Sequence, residues 1–219
     1  MRYSFLFITL LLIGCSSGTT PVDDAVEAKI LHYGNGTEPQ GLDPHIVTGV
    51  PEHHLLLALC EGLTSSNPRG GESLPGSAAS WDISDDGKVY TFYLQDDGKW
   101  SNGDAVTAED YVWSWQRILT PSLGSQYPDM LYYVQNAEEF HNGTIDDFSN
   151  VGVKALDSKT LEVTLKEPTP FFLGLLSHYS TWPVHKPTVL KHGTMDDRNG
   201  QWTRPGNFVC NGPFNLKTW

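Results

Sequence analysis

The chain has 219 residues with 26 acidic against 14 basic side chains, a formal net charge of −12, and seven Trp, nine Tyr and nine Phe. That length and aromatic content can bury a sizeable core, which excludes a disordered chain. Phosphate backbones need clustered Lys and Arg, whereas here the bases are dispersed and acidic pairs recur at Asp85-Asp86, Asp96-Asp97, Asp146-Asp147 and Asp196-Asp197 as solvated turns, so no nucleic acid partner is expected.

At the amino terminus, Arg2 precedes an apolar run over residues 5–13 (FLFITLLLI), and Gly14, Cys15 and two serines follow. This reads as an export signal. The run is too short to cross a bilayer core of about 30 Å, which takes roughly 20 helical residues. The tetrad Leu12-Ile13-Gly14-Cys15 resembles the bacterial lipobox, whose cysteine receives diacylglycerol before cleavage. On that resemblance residues 1–14 are a lipoprotein signal peptide and Cys15 is the lipid attachment site. Two acyl chains, at about 0.8 kcal/mol per buried methylene, are enough for stable anchoring. Cleavage removes Arg2 and no acid, so the charge moves from −12 to −13. Residues 15–28 are small, polar or acidic and show no sustained period, so a flexible tether is expected, with order beginning near Lys29.

Residues 30–33 read as a short strand ended by Gly34-Asn35-Gly36, and the Gly- and Pro-rich stretch to Pro51 as loop or extended chain. The pattern EHHLLLALCE over 52–61 predicts a buried helix with Gly62 near its carboxyl end. VYTFYL at 89–94, after the turn signal Ser84-Asp85-Asp86-Gly87, predicts a strand covered on both faces. Thr107 with Asp110 marks a helix start, and Pro121 stops that helix near Leu119. Residues 151–156 and 161–166 flank Asp157-Ser158-Lys159-Thr160 as a hairpin, with Leu161, Val163 and Leu165 on its buried face. A helix-like run at 171–176 and a last helix after Pro183 and Pro187 follow. The chain closes on a strand-like 214–219 without a cap, as though cut.

Once Cys15 is lipidated, Cys60 and Cys210 remain. An exported compartment permits them to pair, but the sequence does not place them within bridging range, and two buried free thiols are the favoured reading. No Gly-x-Ser-x-Gly, Cys-x-x-Cys or His-Glu-x-x-His occurs, so an enzyme is not expected; a lipoprotein hydrolase is kept as a remote alternative. Glu52-His53-His54, with His45 and His32 upstream, is the one histidine-rich neighbourhood. Adjacent helical residues diverge by about 100°, so His53 and His54 are poorly placed to share one ion, and neither metal nor cofactor is expected.

Several blocks, in one order, resemble a known family: TEPQGLDPH at 37–45, CEGL at 60–63, ASW at 79–81, SDDG at 84–87, KWSNG at 99–103, VTAED at 106–110, VGVKA at 151–155, LEVTL at 161–165 and NGPF at 211–214. They resemble the oligopeptide-binding proteins of peptide ABC transporters, bacterial extracellular solute-binding protein family 5. The resemblance covers the chain from about residue 30 to its end. It implies a mixed α/β (α+β) periplasmic-binding-protein-like class II fold whose members are more than twice as long and close two lobes over a ligand. Residues 29–60 would then be the first segment of lobe I, 61–185 an inserted subdomain, and 186–219 the return into lobe I, truncated before the second lobe.

The resemblance also implies a function: capture of oligopeptides outside the cytoplasmic membrane and delivery to the permease subunits of an ABC importer, from a lipid-anchored periplasmic or cell-surface position. Ligand would shift an open–closed equilibrium of the lobes, with the energy supplied by the importer's ATPases. By resemblance, extended Thr48-Gly49-Val50 offers main-chain N–H and C=O groups to a peptide, a strand addition indifferent to side chains. Thr48 replaces the acidic residue that the family's peptide binders carry there. Tyr127 matches an aromatic that packs on the peptide near its amino end, and His178 a histidine lining the cleft. The carboxylate that pairs with the peptide amine comes from the second lobe. The alternative within the same fold is a binder of nickel, haem or another small solute.

Overall fold

The structure, a computed structural model, describes residues 20–219. The export signal, Cys15 and the start of the expected tether lie outside the described residues. The described residues divide into two units, residues 20–36 and 37–219.

In the first unit a helix, α1 (Pro21–Ala28), stands where an unstructured tether was expected. Its start is locally encoded: the Asp23 N–H donates to Thr20 Oγ1 at 3.2 Å, and the Thr20 N–H donates back to the Asp23 carboxylate at 2.9 Å. Proline in the first turn costs nothing, because that N–H has no intrahelical acceptor. Lys29 closes the helix in the left-handed region at φ 55°. Residues 30–33, expected as a strand, are irregular, and Ile30 and Leu31 are exposed. Apolar, β-branched composition favours a strand only where a ladder partner exists, and no sheet includes this stretch.

The second unit begins with an irregular segment and α2 (Val50–Leu59), followed by a two-residue ribbon of β1 (Thr64–Ser65) and β2 (Leu74–Pro75). A four-stranded antiparallel sheet follows, ordered β3-β4-β6-β5, from β3 (Ala78–Ile83), β4 (Val89–Leu94), β5 (Val153–Ala155) and β6 (Thr160–Thr164). The β3–β4 turn closes as Ser84 Oγ accepts from the Val89 N–H at 2.9 Å, with Gly87 at φ 69°. At the expected β5–β6 hairpin, Asp157 accepts from the Lys159 N–H at 2.7 Å and the Thr160 hydroxyl at 2.9 Å.

One sheet face carries Tyr90, Phe92, Leu161, Val163 and Val153 into the main core, where α3 (Ala108–Leu119) supplies Tyr111, Trp115, Ile118 and Leu119. The other face of β4 corrects the expectation that both would be covered. Val89 and Thr91 are half-buried and Tyr93 is exposed, its hydroxyl donating to Asp82 at 2.8 Å. Aromatic and β-branched residues suit a pleated surface whether or not that face is buried. Short helices α4 (Ala137–His141), α5 (Phe172–Leu175) and α6 (Lys186–Lys191) complete the unit, and residues 214–219, expected as strand-like, form none.

Cys60 and Cys210 form a disulfide with Cα atoms 5.3 Å apart, which corrects the reading of two free thiols. Tertiary folding places 208–214 along the end of α2. There the Gly212 N–H donates to Leu59 O at 3.0 Å, and Asn211 exchanges bonds with the N–H and C=O of Glu61 at 3.0 and 2.9 Å.

Candidate functional site: an open cleft beside the start of α2

The helix α2 starts two residues before the sequence suggested. Gly49 is its N-cap and Pro51 lies in the first turn, so Val50 opens the helix rather than extending a strand. Thr48 and Gly49 remain extended, Gly49 at φ −89° and ψ 153°. The Gly49 carbonyl accepts from the His53 N–H at 3.1 Å. Among the described residues, the N–H and C=O of Thr48 and the N–H of Gly49 have no hydrogen-bond partner. Thr48 is exposed, and it borders a cleft of about 550 Å³ edged also by Gln40, Glu52, Gln126, Arg198 and Arg204.

Two buried acids fix this edge. Glu52 Oε1 accepts from the Gln40 N–H at 2.6 Å, folding the preceding loop over the helix start. A Cβ at Gly49 would overlap the Glu52 carboxylate, so only glycine permits this close approach. Asp43 receives both terminal nitrogens of the fully buried Arg117, at 2.9 and 2.6 Å. Arg117 Nε donates to Met195 O at 2.8 Å, and its guanidinium lies 5.6 Å from the Trp202 ring centroid. The same guanidinium donates to His45 Nδ1 at 2.9 Å, which leaves His45 Nε2–H to donate to Trp182 O at 3.0 Å.

Burial, reinforced by the Arg117 charge, pushes the His45 pKa down to about 4, so the ring is neutral as this tautomer requires. Burial would raise the Asp43 carboxyl; Arg117 and the hydrogen bonds outweigh it and hold the carboxyl below the usual range. This clasp ties residues 43–45 to α3 and to the Met195 and Trp182 loops.

An aromatic cluster packs around Tyr179. The Tyr179 hydroxyl donates to Val47 O at 3.1 Å, which anchors the residue immediately before Thr48. His178 packs on Tyr179 at 4.2 Å and meets Tyr127 edge-on at 5.2 Å, while His53 from α2 is 5.4 Å from Tyr179 and 6.3 Å from His178. Burial, with His54 as neighbour, lowers the His53 pKa; burial, with His53 as neighbour, lowers that of His178. Burial and the nearby Tyr127 push Tyr179 up to about 12. His53, His178 and Tyr179 are therefore uncharged near neutrality.

The structure thus brings Tyr127 and His178 into contact and links them through Tyr179 to the Val47 carbonyl, but neither lines the cleft that Thr48 borders. Sequence reasoning weighed His53 only as a metal ligand and missed Tyr179 and Arg117. Tyr179 is the neighbour of His178, whereas Arg117 lies 74 residues from Asp43 and left no local signal. His178 Nδ1 contacts Ser180 Oγ at 2.8 Å, but Ser180 is fully buried and two residues away, so this contact caps a turn. Among the described residues no group of three His, Cys, Asp or Glu is arranged to hold a metal ion, and no helix is long and apolar enough to cross a membrane. Unpaired main chain on a groove beside uncharged rings is suited to binding by hydrogen bonds and stacking.

Comparison with known proteins gives that chemistry a class. Residues 72–219 match the family described as bacterial extracellular solute-binding proteins, family 5, middle region. The chain is 46% identical over 195 residues to the periplasmic oligopeptide-binding protein OppA of Escherichia coli, an alignment covering 88% of this chain and 34% of that protein. The crystal structure of the oligopeptide-binding protein OppAIV from Borrelia burgdorferi superposes with a TM-score of 0.77 at 42% identity, over 84% of this chain and 36% of that one. Haemophilus influenzae OppA in complex with the peptide RPPGFSPFR gives a TM-score of 0.74 at 38% identity, over 81% of this chain and 34% of that one. The mixed helix-and-sheet fold is therefore that of extracytoplasmic solute-binding proteins. The chain belongs to family 5 of the bacterial extracellular solute-binding proteins, and it spans about a third of the length of the curated relatives it matches.

Proposed function

We propose that this chain is part of the substrate-binding component of an ABC importer, one that captures oligopeptides outside the cytoplasmic membrane and presents them to the permease. The observation that carries this reading is the unpaired main chain at Thr48 and Gly49 on an open cleft, in a family whose relatives are oligopeptide-binding proteins. Thr48 and Gly49 add a peptide main chain by strand-like pairing, and Val50 fixes their end by opening α2. Tyr127 and His178 form an aromatic wall for the peptide's amino-terminal region. Burial keeps the His178 ring neutral, so the wall adds no fixed charge that would favour particular side chains over main-chain recognition.

Calorimetric titration of the complete protein with short alanine peptides tests this. Thr48→Ala keeps the backbone groups and is expected to change affinity less than about twofold, whereas Thr48→Pro removes one N–H and costs about tenfold or more. Absence of peptide heat in the unaltered protein would sink the reading.

The lipobox resemblance supports anchoring through Cys15 after cleavage of residues 1–14. Radiolabelled palmitate is expected to enter the wild-type protein and not Cys15→Ser; equal labelling of both overturns the anchor.

A further inference from the structure

In a chain of net charge −12, the cleft beside Thr48 has an unusual charge arrangement. Its two acids are already engaged: Asp43 holds the Arg117 guanidinium, and Glu52 is buried and accepts the Gln40 N–H. Its two bases are not neutralised. Arg198 and Arg204 are exposed on the same wall, and among the described residues neither forms an ion pair.

The two arginines are held differently. Arg198 Nη1 is spent on the carbonyls of Leu123 and Gly124. Arg204 has no such acceptor: its guanidinium lies 5.1 Å from the centroid of the Trp219 ring. Stacking on a ring orients a guanidinium plane and leaves its N–H edge free, the arrangement that receives a carboxylate through two parallel hydrogen bonds.

We propose that Arg204 is a specificity-determining residue for carboxylate-bearing peptides. It would receive either an acidic side chain or the peptide's own terminal carboxylate, while Thr48 and Gly49 hold the main chain. This proposal rests on the peptide-binding reading above. A free guanidinium pre-positioned on a cleft wall supplies a charge-assisted contact, which survives water better than a neutral one. Arg198, its charge retained but one nitrogen occupied, adds to the field without fixing geometry. The main chain then supplies affinity for peptides in general, and Arg204 ranks them.

The test is a four-peptide calorimetric titration of the complete protein: an alanine peptide, the same peptide with one Glu, its Gln isostere, and the alanine peptide with an amidated carboxyl end. In the unaltered protein, the Glu peptide is expected to bind about tenfold tighter than the Gln isostere if a side chain is read. The free acid is expected to bind about tenfold tighter than the amide if the terminus is read. Arg204→Gln should abolish that ratio while leaving the amidated alanine peptide within about twofold, and Arg204→Lys should restore part of it. Either ratio persisting in Arg204→Gln overturns the role of Arg204, as does equal binding of all four peptides by the unaltered protein; peptide binding itself then stands. Failure of every peptide to bind removes the underlying reading and this one with it.

Discussion

Arg117 is fully buried, and a guanidinium out of water is tolerable only if its donors and its charge are matched. Asp43 takes two donors, Met195 O a third, and His45 Nδ1 shares Nη1, so the arginine reads the protonation state of the histidine beside it. His45 takes up its proton near pH 4 in the folded chain and near 6.5 when unfolded. Between those values the unfolded chain binds more protons, so stability contributed by His45 is complete above pH 6.5 and declines as the pH falls toward 4. The full decline from this group is about 3 kcal/mol. His53 and His178, also lowered, act in the same direction. Asp43, held below its ordinary value, extends the loss into more acid conditions. Urea unfolding across this range should show the slope, and His45→Asn should flatten it; an unchanged slope in that variant would assign the acid sensitivity elsewhere. Asp43 and His45 were visible in the sequence as part of a block resembling the family, but their role was not, because their partner is contributed by a distant helix.

At the scale of elements, local chemistry decided boundaries where it was self-sufficient. The helix α3 runs from Ala108 to Leu119 as expected, because the Asp110 carboxylate takes the Thr107 N–H at 2.8 Å and its hydroxyl at 2.9 Å, and proline follows at 121. The start of α2 shows the opposite case. Apolar patterning begins after Glu52, yet the helix starts at Val50 because Gly49 and Pro51 supply a cap and a first turn that periodicity cannot register. Gly49 also admits the Glu52 carboxylate against its α-carbon. Gly49→Ala is therefore expected to push Glu52 off the Gln40 N–H and cost about 1–3 kcal/mol, and adding Glu52→Ala should recover part of the loss. Chemical denaturation of both variants checks this, and a Gly49→Ala variant as stable as wild type would mean that Glu52 repositions freely. The strand β4 was placed correctly at residues 89–94, but its outer face was not foreseen as wet, since composition reports fit to a sheet and not what covers it.

For the molecule as a whole, the Cys60–Cys210 bridge closes a loop of 150 residues around the sheet and α3. Cross-linking so long a segment restricts the unfolded chain, worth about 4–5 kcal/mol on the loop-entropy account. Around it, Asn211 binds both backbone groups of Glu61, and a Cβ at Gly212 would approach Cys60 N to 2.6 Å, so bridge and close main-chain contact lock the same junction. Paired Cys60→Ser and Cys210→Ser changes, or reduction, should lower stability by about that amount in urea titrations. Because the bridge fastens the far end of α2, peptide affinity is a second readout, expected to weaken with it. Unchanged stability after verified reduction would show that Asn211, Gly212 and the surrounding core hold the junction unaided.

By itself the sequence determined the parts whose causes lie within a few residues: the capped start of α3, the hairpin turn at 157–160, the alternation of Leu161, Val163 and Leu165, and the ordered blocks that resemble the family. Within the stretch read as tether it missed the helix at Pro21–Ala28, although Thr20, Pro21 and Asp23 spelled its start, and it read residues 30–33 as a strand with no ladder to join. Tertiary structure alone decided that Cys60 meets Cys210, that Arg117 meets Asp43 and His45, and that Tyr127, His178 and His53 gather around Tyr179. These contacts join groups many residues apart, and their distances depend on how every intervening element packs, which no short stretch of sequence encodes.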